Sequence, residues 1–128
     1  PKIARMGECE AKKRAIVKDT MHRNIVRLSG VPSWMMTLIK QILQESGEQK
    51  LCDVWPNREV FFHGGISYEP YRQYDKELIP SDGMHYVETY NASEGFFGIQ
   101  DDPEHHDMLL MLELGLFLEF IPLHELDK

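Results

Sequence analysis

Apolar residues recur along this chain with two different periods, and the change of period marks its elements. Met35, Leu38, Ile39, Ile42 and Leu43 follow one another at three, four, seven and eight positions, the stripe of one helix face. Pro32 fits the first turn of that helix, where a missing N–H costs nothing, and Gly47 is a natural stop. An earlier helix is predicted from about Glu8 to His22, with Ala11, Ala15 and Ile16 as a modest apolar face. Short apolar runs at Ile25, Val26 and Leu28, at Val60 to Phe62 and at Tyr86 to Tyr90 read as strands. Ser29-Gly30 stops the first run and Gly64-Gly65 stops the second, while Pro80-Ser81-Asp82-Gly83 breaks the chain ahead of the third. Val54-Trp55-Pro56-Asn57 is a turn-rich connector, and Ser67 can cap a helix through Tyr71 and Tyr74 to Leu78, with Glu69 in its first turn.

Strand, helix, strand, helix, strand is the order of right-handed βαβ crossovers. After Ser93 the pieces become strand-like with no room for helices between them: Phe96 to Ile99, Met108 to Leu112, and Leu116 to Ile121. The last two are expected to pair as a hairpin through Glu113-Leu114-Gly115, with a helix as the rival reading. The expected architecture is α/β: a partial parallel sheet with flanking helices, followed by a C-terminal β-hairpin region, over residues 1–128 as one unit. No membrane span is expected, because Glu113 and Glu119 interrupt a run that is already too short.

Charge divides the chain. Residues 1–27 hold eight Lys and Arg against three acids, a net of +5, and the remainder holds six against eighteen, a net of −12. The basic residues Lys12, Lys13, Arg14 and Lys18 ring a helix that also carries acids, with no aromatic interleaving, so they predict a solvated face or one docked on an acidic surface. A nucleic-acid role is not expected. Two cysteines, Cys9 and Cys52, are too few for a disulfide framework or a thiolate zinc site, which points to a reduced, cytoplasmic protein.

In an open parallel sheet, ligands bind beyond the carboxyl ends of the strands. Two loops meet that condition, Gly64-Gly65 and Tyr90-Asn91-Ala92-Ser93-Glu94-Gly95. If their strands are neighbours, the loops form one crevice. Paired glycines let a flat ring lie on the backbone. Tyr90 offers an aromatic face, Ser93 a hydroxyl for a phosphate oxygen, and Glu94 a hard oxygen ligand suited to Mg²⁺. Read without such a crevice, Gly-Gly is a turn and Ser-Glu-Gly an ordinary loop.

The stretch Tyr90-Asn91-Ala92-Ser93-Glu94-Gly95-Phe96-Phe97-Gly98 resembles the second signature motif of the auxin-responsive acyl acid–amido synthetases, the Gretchen Hagen three family of the firefly-luciferase-like adenylate-forming superfamily. Three further stretches are similar in order and spacing to segments of that family: Gly30-Val31-Pro32-Ser33-Trp34, Val54-Trp55-Pro56-Asn57 with Phe62-His63-Gly64-Gly65, and Phe117-Leu118-Glu119-Phe120-Ile121-Pro122. The likeness spans nearly the whole chain and is greatest to bacterial members.

The resemblance implies an enzyme that uses ATP and Mg²⁺ to convert a carboxylic acid to an acyl-adenylate and passes the acyl group to an amine acceptor. It implies that Gly64, Gly65 and Tyr90 lie against adenine, that Ser93 meets the α-phosphate region, and that Glu94 helps hold Mg²⁺. The family's Ser/Thr/Gly-rich phosphate loop, its Tyr-Arg-x-Gly-Asp motif and its mobile carboxy-terminal domain have no counterpart among these residues. The expectation is therefore an internal fragment of the AMP-binding domain, a piece of the enzyme's N-terminal domain that is inactive alone and is completed by the remainder of a parent enzyme. The alternative is a non-catalytic interaction module that retains the fold. Either way, surface between Met108 and Ile121 is expected to drive self-association of the isolated chain.

Other residues carry blander readings. Asp101-Asp102-Pro103-Glu104-His105-His106-Asp107 reads as a solvated polar loop, since adjacent ligands do not easily face one ion. His63 is either a substrate contact or a packed strand-end histidine. Glu119 is expected to be structural, Cys9 and Cys52 inert, and Trp34 and Trp55 core or interface anchors.

Overall fold

The computed structural model describes residues 3–66, 71, 79, 83–105 and 107–126. Helix α1 (Cys9–Thr20) begins where the Glu8 carboxylate accepts the backbone N–H groups of Glu10 and Ala11 at 2.9 and 2.6 Å. Those are two of the N–H groups that a helix start leaves without partners. Strand β1 (Arg27–Gly30) leads directly into helix α2 (Pro32–Ser46), with Pro32 in its first turn. Gly47 ends α2 with a φ of +78°, the left-handed cap in which glycine has no Cβ to clash. A short helix, α3 (Leu51–Val54), precedes strand β2 (Val60–Gly64). Strands β3 (His85–Ala92), β4 (Gly95–Ile99) and β5 (Leu109–Leu110) complete one sheet of order β1-β2-β3-β4-β5.

The first three strands are parallel. Leu28 pairs with Phe61 and Phe61 with Tyr86, so a single register runs across β1, β2 and β3. β4 and β5 then pair antiparallel, which makes the sheet mixed. The protein is thus α/β, a five-stranded mixed sheet flanked by helices. The core lies between the helices and the parallel strands: Val17, Ile39, Ile42, Leu51, Phe61 and Ile79 are among its sealed members. Trp55 fills the gap left by the turn-rich connector and donates from its indole N–H to the Thr20 carbonyl at 3.0 Å, so its polar atom is satisfied while the ring is buried.

Two expectations are corrected. Residues 116–121 do not form a strand, and no hairpin turns at Glu113-Leu114-Gly115. β5 instead pairs with β4, and after a turn at Gly115 (φ +75°) the Leu116 side chain lies over Gly95, directing the chain onto the β3–β4 hairpin rather than back along β5. The connector expected at Val54-Trp55-Pro56-Asn57 starts one residue later than expected, because Val54 is the last residue of the short helix α3. The expected helix from Ser67 to Leu78 falls almost wholly outside the described residues. Among the described residues, no helix is long and apolar enough to cross a membrane.

Candidate functional site

β2 and β3 run side by side in the same direction, so the Gly64-Gly65 turn lies beside Tyr90. The loop expected from Tyr90 to Gly95 is corrected: β3 continues to Ala92 and reverses into the antiparallel β4 at Gly95, leaving only Ser93 and Glu94 as the connection. Gly64 pairs with Thr89, the residue before Tyr90. The approach is close: a Cβ on Gly64 would stand 2.1 Å from the Thr89 carbonyl oxygen, so only glycine fits without displacing backbone. The Thr89 hydroxyl donates to the His63 carbonyl at 3.1 Å and ties the strand ends together. Gly65 follows with a φ of +83°, where L side chains are strained. A Cβ there would also face Val31 Cγ2 at 3.5 Å, so the turn after β2 lies against the start of α2. The carboxyl ends of β1, β2 and β3 share this rim.

Tyr90 is 56% exposed, and its ring lies 5.3 Å from that of Phe97, tilted by 35°. Phe97 is the extra residue of a bulge: Tyr90 pairs with Gly98 and Asn91 with Phe96. Bulges sharpen strand twist and re-aim side chains, and they are common beside functional sites. Ala92 pairs with Gly95, leaving Ser93 and Glu94 as the two-residue connection of the β3–β4 hairpin. Neither has positive φ, so the connection lacks the primed-turn geometry that suits two-residue hairpins, and the bulge adds twist nearby.

Gly64, Gly65 and Tyr90 are therefore together, with the Tyr90 ring open to solvent. Ser93 and Glu94, both exposed, sit further along β3: Ser93 is four residues past Thr89, roughly 13 Å at strand rise. The arrangement offers a flat backbone shelf and an aromatic face at one end, and a hydroxyl with a carboxylate at the other. Glu94 fits one protein ligand of Mg²⁺, an ion that keeps several waters and takes one or two carboxylates besides phosphate oxygens. Among the described residues, no group of three or more His, Cys, Asp or Glu could hold a metal by itself. Any ion here would need oxygens from a bound phosphate.

No family model and no curated protein matches the chain.

Sequence reasoning missed two contributors. Thr89, reading as one more strand residue, holds the Gly64 edge through its carbonyl position and hydroxyl. A groove of ≈370 Å³ opens beyond β1, between Lys12, Lys13 and Ile16 of α1 and Trp34, Met35 and Leu38 of α2. Trp34, one of the two expected core or interface anchors, is 64% exposed there and belongs to no core. The signal was available, since Trp34 lies off the Met35–Leu43 stripe. His63 is buried and packs its ring 5.5 Å from Phe61, the packed strand-end alternative. In the 101–107 loop, Asp102 accepts from the Glu104 backbone N–H and lies 2.9 Å from His105 Nδ1. These bonds, the backbone one foremost, hold its carboxyl below the usual range in full solvent.

Proposed function

We propose that this chain carries the adenine-facing and metal-facing loops of an ATP-dependent, acyl-adenylate-forming ligase of the acyl acid–amido synthetase type, and is inactive without the remainder of that enzyme. The observation that carries the reading is the parallel pairing of Gly64 with Thr89, which sets the glycine doublet beside Tyr90 at the carboxyl end of the sheet. Loops on opposite edges would not support it.

In this reading the Gly64-Gly65 backbone and the Tyr90 ring bind the base, and their separation from Ser93 leaves room for ribose before the phosphate. Ser93 orients the α-phosphate by hydrogen bonding. Glu94, on the exposed turn, holds Mg²⁺ with help from phosphate oxygens. When bound, the ion would supply charge neutralisation as a carboxylate oxygen attacks the α-phosphorus and the α–β phosphoanhydride bond breaks, so that pyrophosphate leaves and an acyl-adenylate is formed. The substrates are a carboxylic acid and an amine acceptor, and the setting is cytoplasmic.

The test is ATP–pyrophosphate exchange in the intact protein, with and without Glu94→Ala. The expected outcome is carboxylate-dependent exchange that falls by about 10²–10³-fold in the variant, the size typical of losing one charge-stabilising group. Exchange unaffected by the substitution removes the metal role from Glu94. A second reading, a non-catalytic interaction module on the same fold, is favoured by the exposed apolar residues from Met108 to Leu126. A folded intact protein without exchange on any carboxylate supports it.

A further inference from the structure

Phe97 reaches the Tyr90 ring only because the β3–β4 ladder breaks its register. Tyr90 pairs with Gly98 and Asn91 with Phe96, which leaves Phe97 out of the pairing. In an unbroken ladder with the same Tyr90–Gly98 pair, Phe97 would oppose Asn91. Paired residues share a face and successive residues alternate, so its side chain would then stand on the face away from Tyr90. The bulge re-aims it, and the two ring centroids lie 5.3 Å apart with their planes tilted by 35°.

The bulge is held from its other side as well. β5 pairs Leu110 with Gly98, and one residue further on the Met111 N–H donates to the Phe97 carbonyl at 2.8 Å. The carbonyl of the extra residue is thus satisfied within the sheet rather than by water, which fixes the backbone that carries the ring.

The consequence falls on Tyr90. Gly98, directly across from it, has no side chain, so packing from β4 is left to the half-buried Phe97. A tyrosine that is 56% exposed would otherwise move among its staggered rotamers. An aromatic neighbour at this distance favours one placement, with part of the ring packed and the rest open. That placement is next to the glycine doublet, because Thr89, the preceding residue, pairs with Gly64.

We propose that Phe97 is a positioning residue of the base site: it holds the Tyr90 ring in the orientation that receives adenine beside Gly64-Gly65, and does not itself touch the nucleotide. The inference rests on the reading of this crevice as a nucleotide site and names the residue that pre-sets it. A ring fixed before binding loses less freedom when the base arrives, and affinity rises accordingly.

Calorimetric titration of the intact protein with ATP and Mg²⁺ tests it, in the parent, Tyr90→Ala, Phe97→Leu, Phe97→Tyr and the Tyr90→Ala/Phe97→Leu double variant. Leucine keeps an apolar side chain at the half-buried position and removes only the ring, so the hairpin should survive. Tyr90→Ala should weaken ATP by about 5- to 100-fold, the range for losing one base-stacking ring. Phe97→Leu should weaken it by about three- to tenfold, the size of an aromatic pair, and Phe97→Tyr should restore it. The double variant should match Tyr90→Ala to within about twofold, because Phe97 acts through a ring that is already gone. A double variant weaker than Tyr90→Ala by the full Phe97→Leu factor overturns the proposal, as does a Phe97→Tyr no better than Phe97→Leu. Phe97→Leu binding like the parent while Tyr90→Ala is weakened overturns it too, and leaves the nucleotide site standing. No ATP binding by the parent, or none lost in Tyr90→Ala, removes the nucleotide reading and this inference together.

Discussion

Up to Met84, the large apolar side chains are mostly sealed between two layers: Val17, Ile39, Ile42, Leu51 and Ile79 are fully buried where helices lie on parallel strands. From Met108 onward, residues of the same kind stand in solvent, because β5 is only two residues long and no helix of the described residues covers 108–126. Composition does not separate these regions; the number of layers does. A hydrophobic run is buried only when a second element is positioned to cover it. The candidate crevice lies between them, where a parallel strand end held by the core meets an antiparallel hairpin that projects past it.

The comparison breaks first at Trp55. Trp55→Ala removes a fully buried ring and its indole hydrogen bond to the Thr20 carbonyl, which keeps only the Arg23 N–H, so chemical denaturation should report a loss of about 3–5 kcal/mol, enough to unfold a marginal domain. A loss under 1 kcal/mol would mean that the sealed region is not the source of stability.

The glycines on either side of the crevice should then differ. At Gly64, an added methyl meets the Thr89 backbone, and Gly64→Ala should cost about 1–3 kcal/mol or more. At Gly95 the obstruction is the Leu116 side chain, whose Cδ1 would be 2.8 Å away and can turn, so Gly95→Ala should cost less than its counterpart. Equal losses in urea titrations would contradict the rigid–yielding distinction. In the exposed region, Phe117→Ser should change stability by no more than about 0.5 kcal/mol, the ordinary range for surface positions.

The smallest effect is electrostatic. Asp102 titrates below the usual carboxylate range because it accepts the Glu104 N–H and neighbours His105. Its contribution is therefore complete above the unfolded value near pH 4 and is lost as pH falls through the lower folded value. A carbon-detected NMR titration should place the Asp102 midpoint below that of an unfolded peptide; an equal or higher midpoint contradicts the turn.

Much of the sealed region was legible. Pro32, the Met35–Leu43 stripe and Gly47 encode helix α2 locally, and Val60–Phe62 and Tyr86–Tyr90 encode two of the strands. Local pattern gives an element's period and not its partner, so the pairing of β5 with β4 and the uncovered segment 116–121 were not legible. The four-residue α3 is too short for a period to register. Of the crevice, Gly64, Gly65 and Tyr90 were legible as loop chemistry at strand ends. Thr89 was not, since its part depends on a register that only the folded sheet defines. The openness of Trp34 followed from its place off the stripe, but the groove it borders also needs α1, which is separated from it in sequence.

The central claim, that the glycine doublet and the tyrosine-led hairpin line one adenine pocket, is tested most directly by photolabelling. The intact protein is irradiated with 8-azido-ATP and Mg²⁺, and the labelled peptides are mapped by mass spectrometry. Adduct on Tyr90 and on the peptide containing Gly64-Gly65, suppressed by excess ATP and lost from both in Gly64→Val, is the predicted result. Label confined to one of the two segments, or ATP-protected label elsewhere in the protein, would contradict the account.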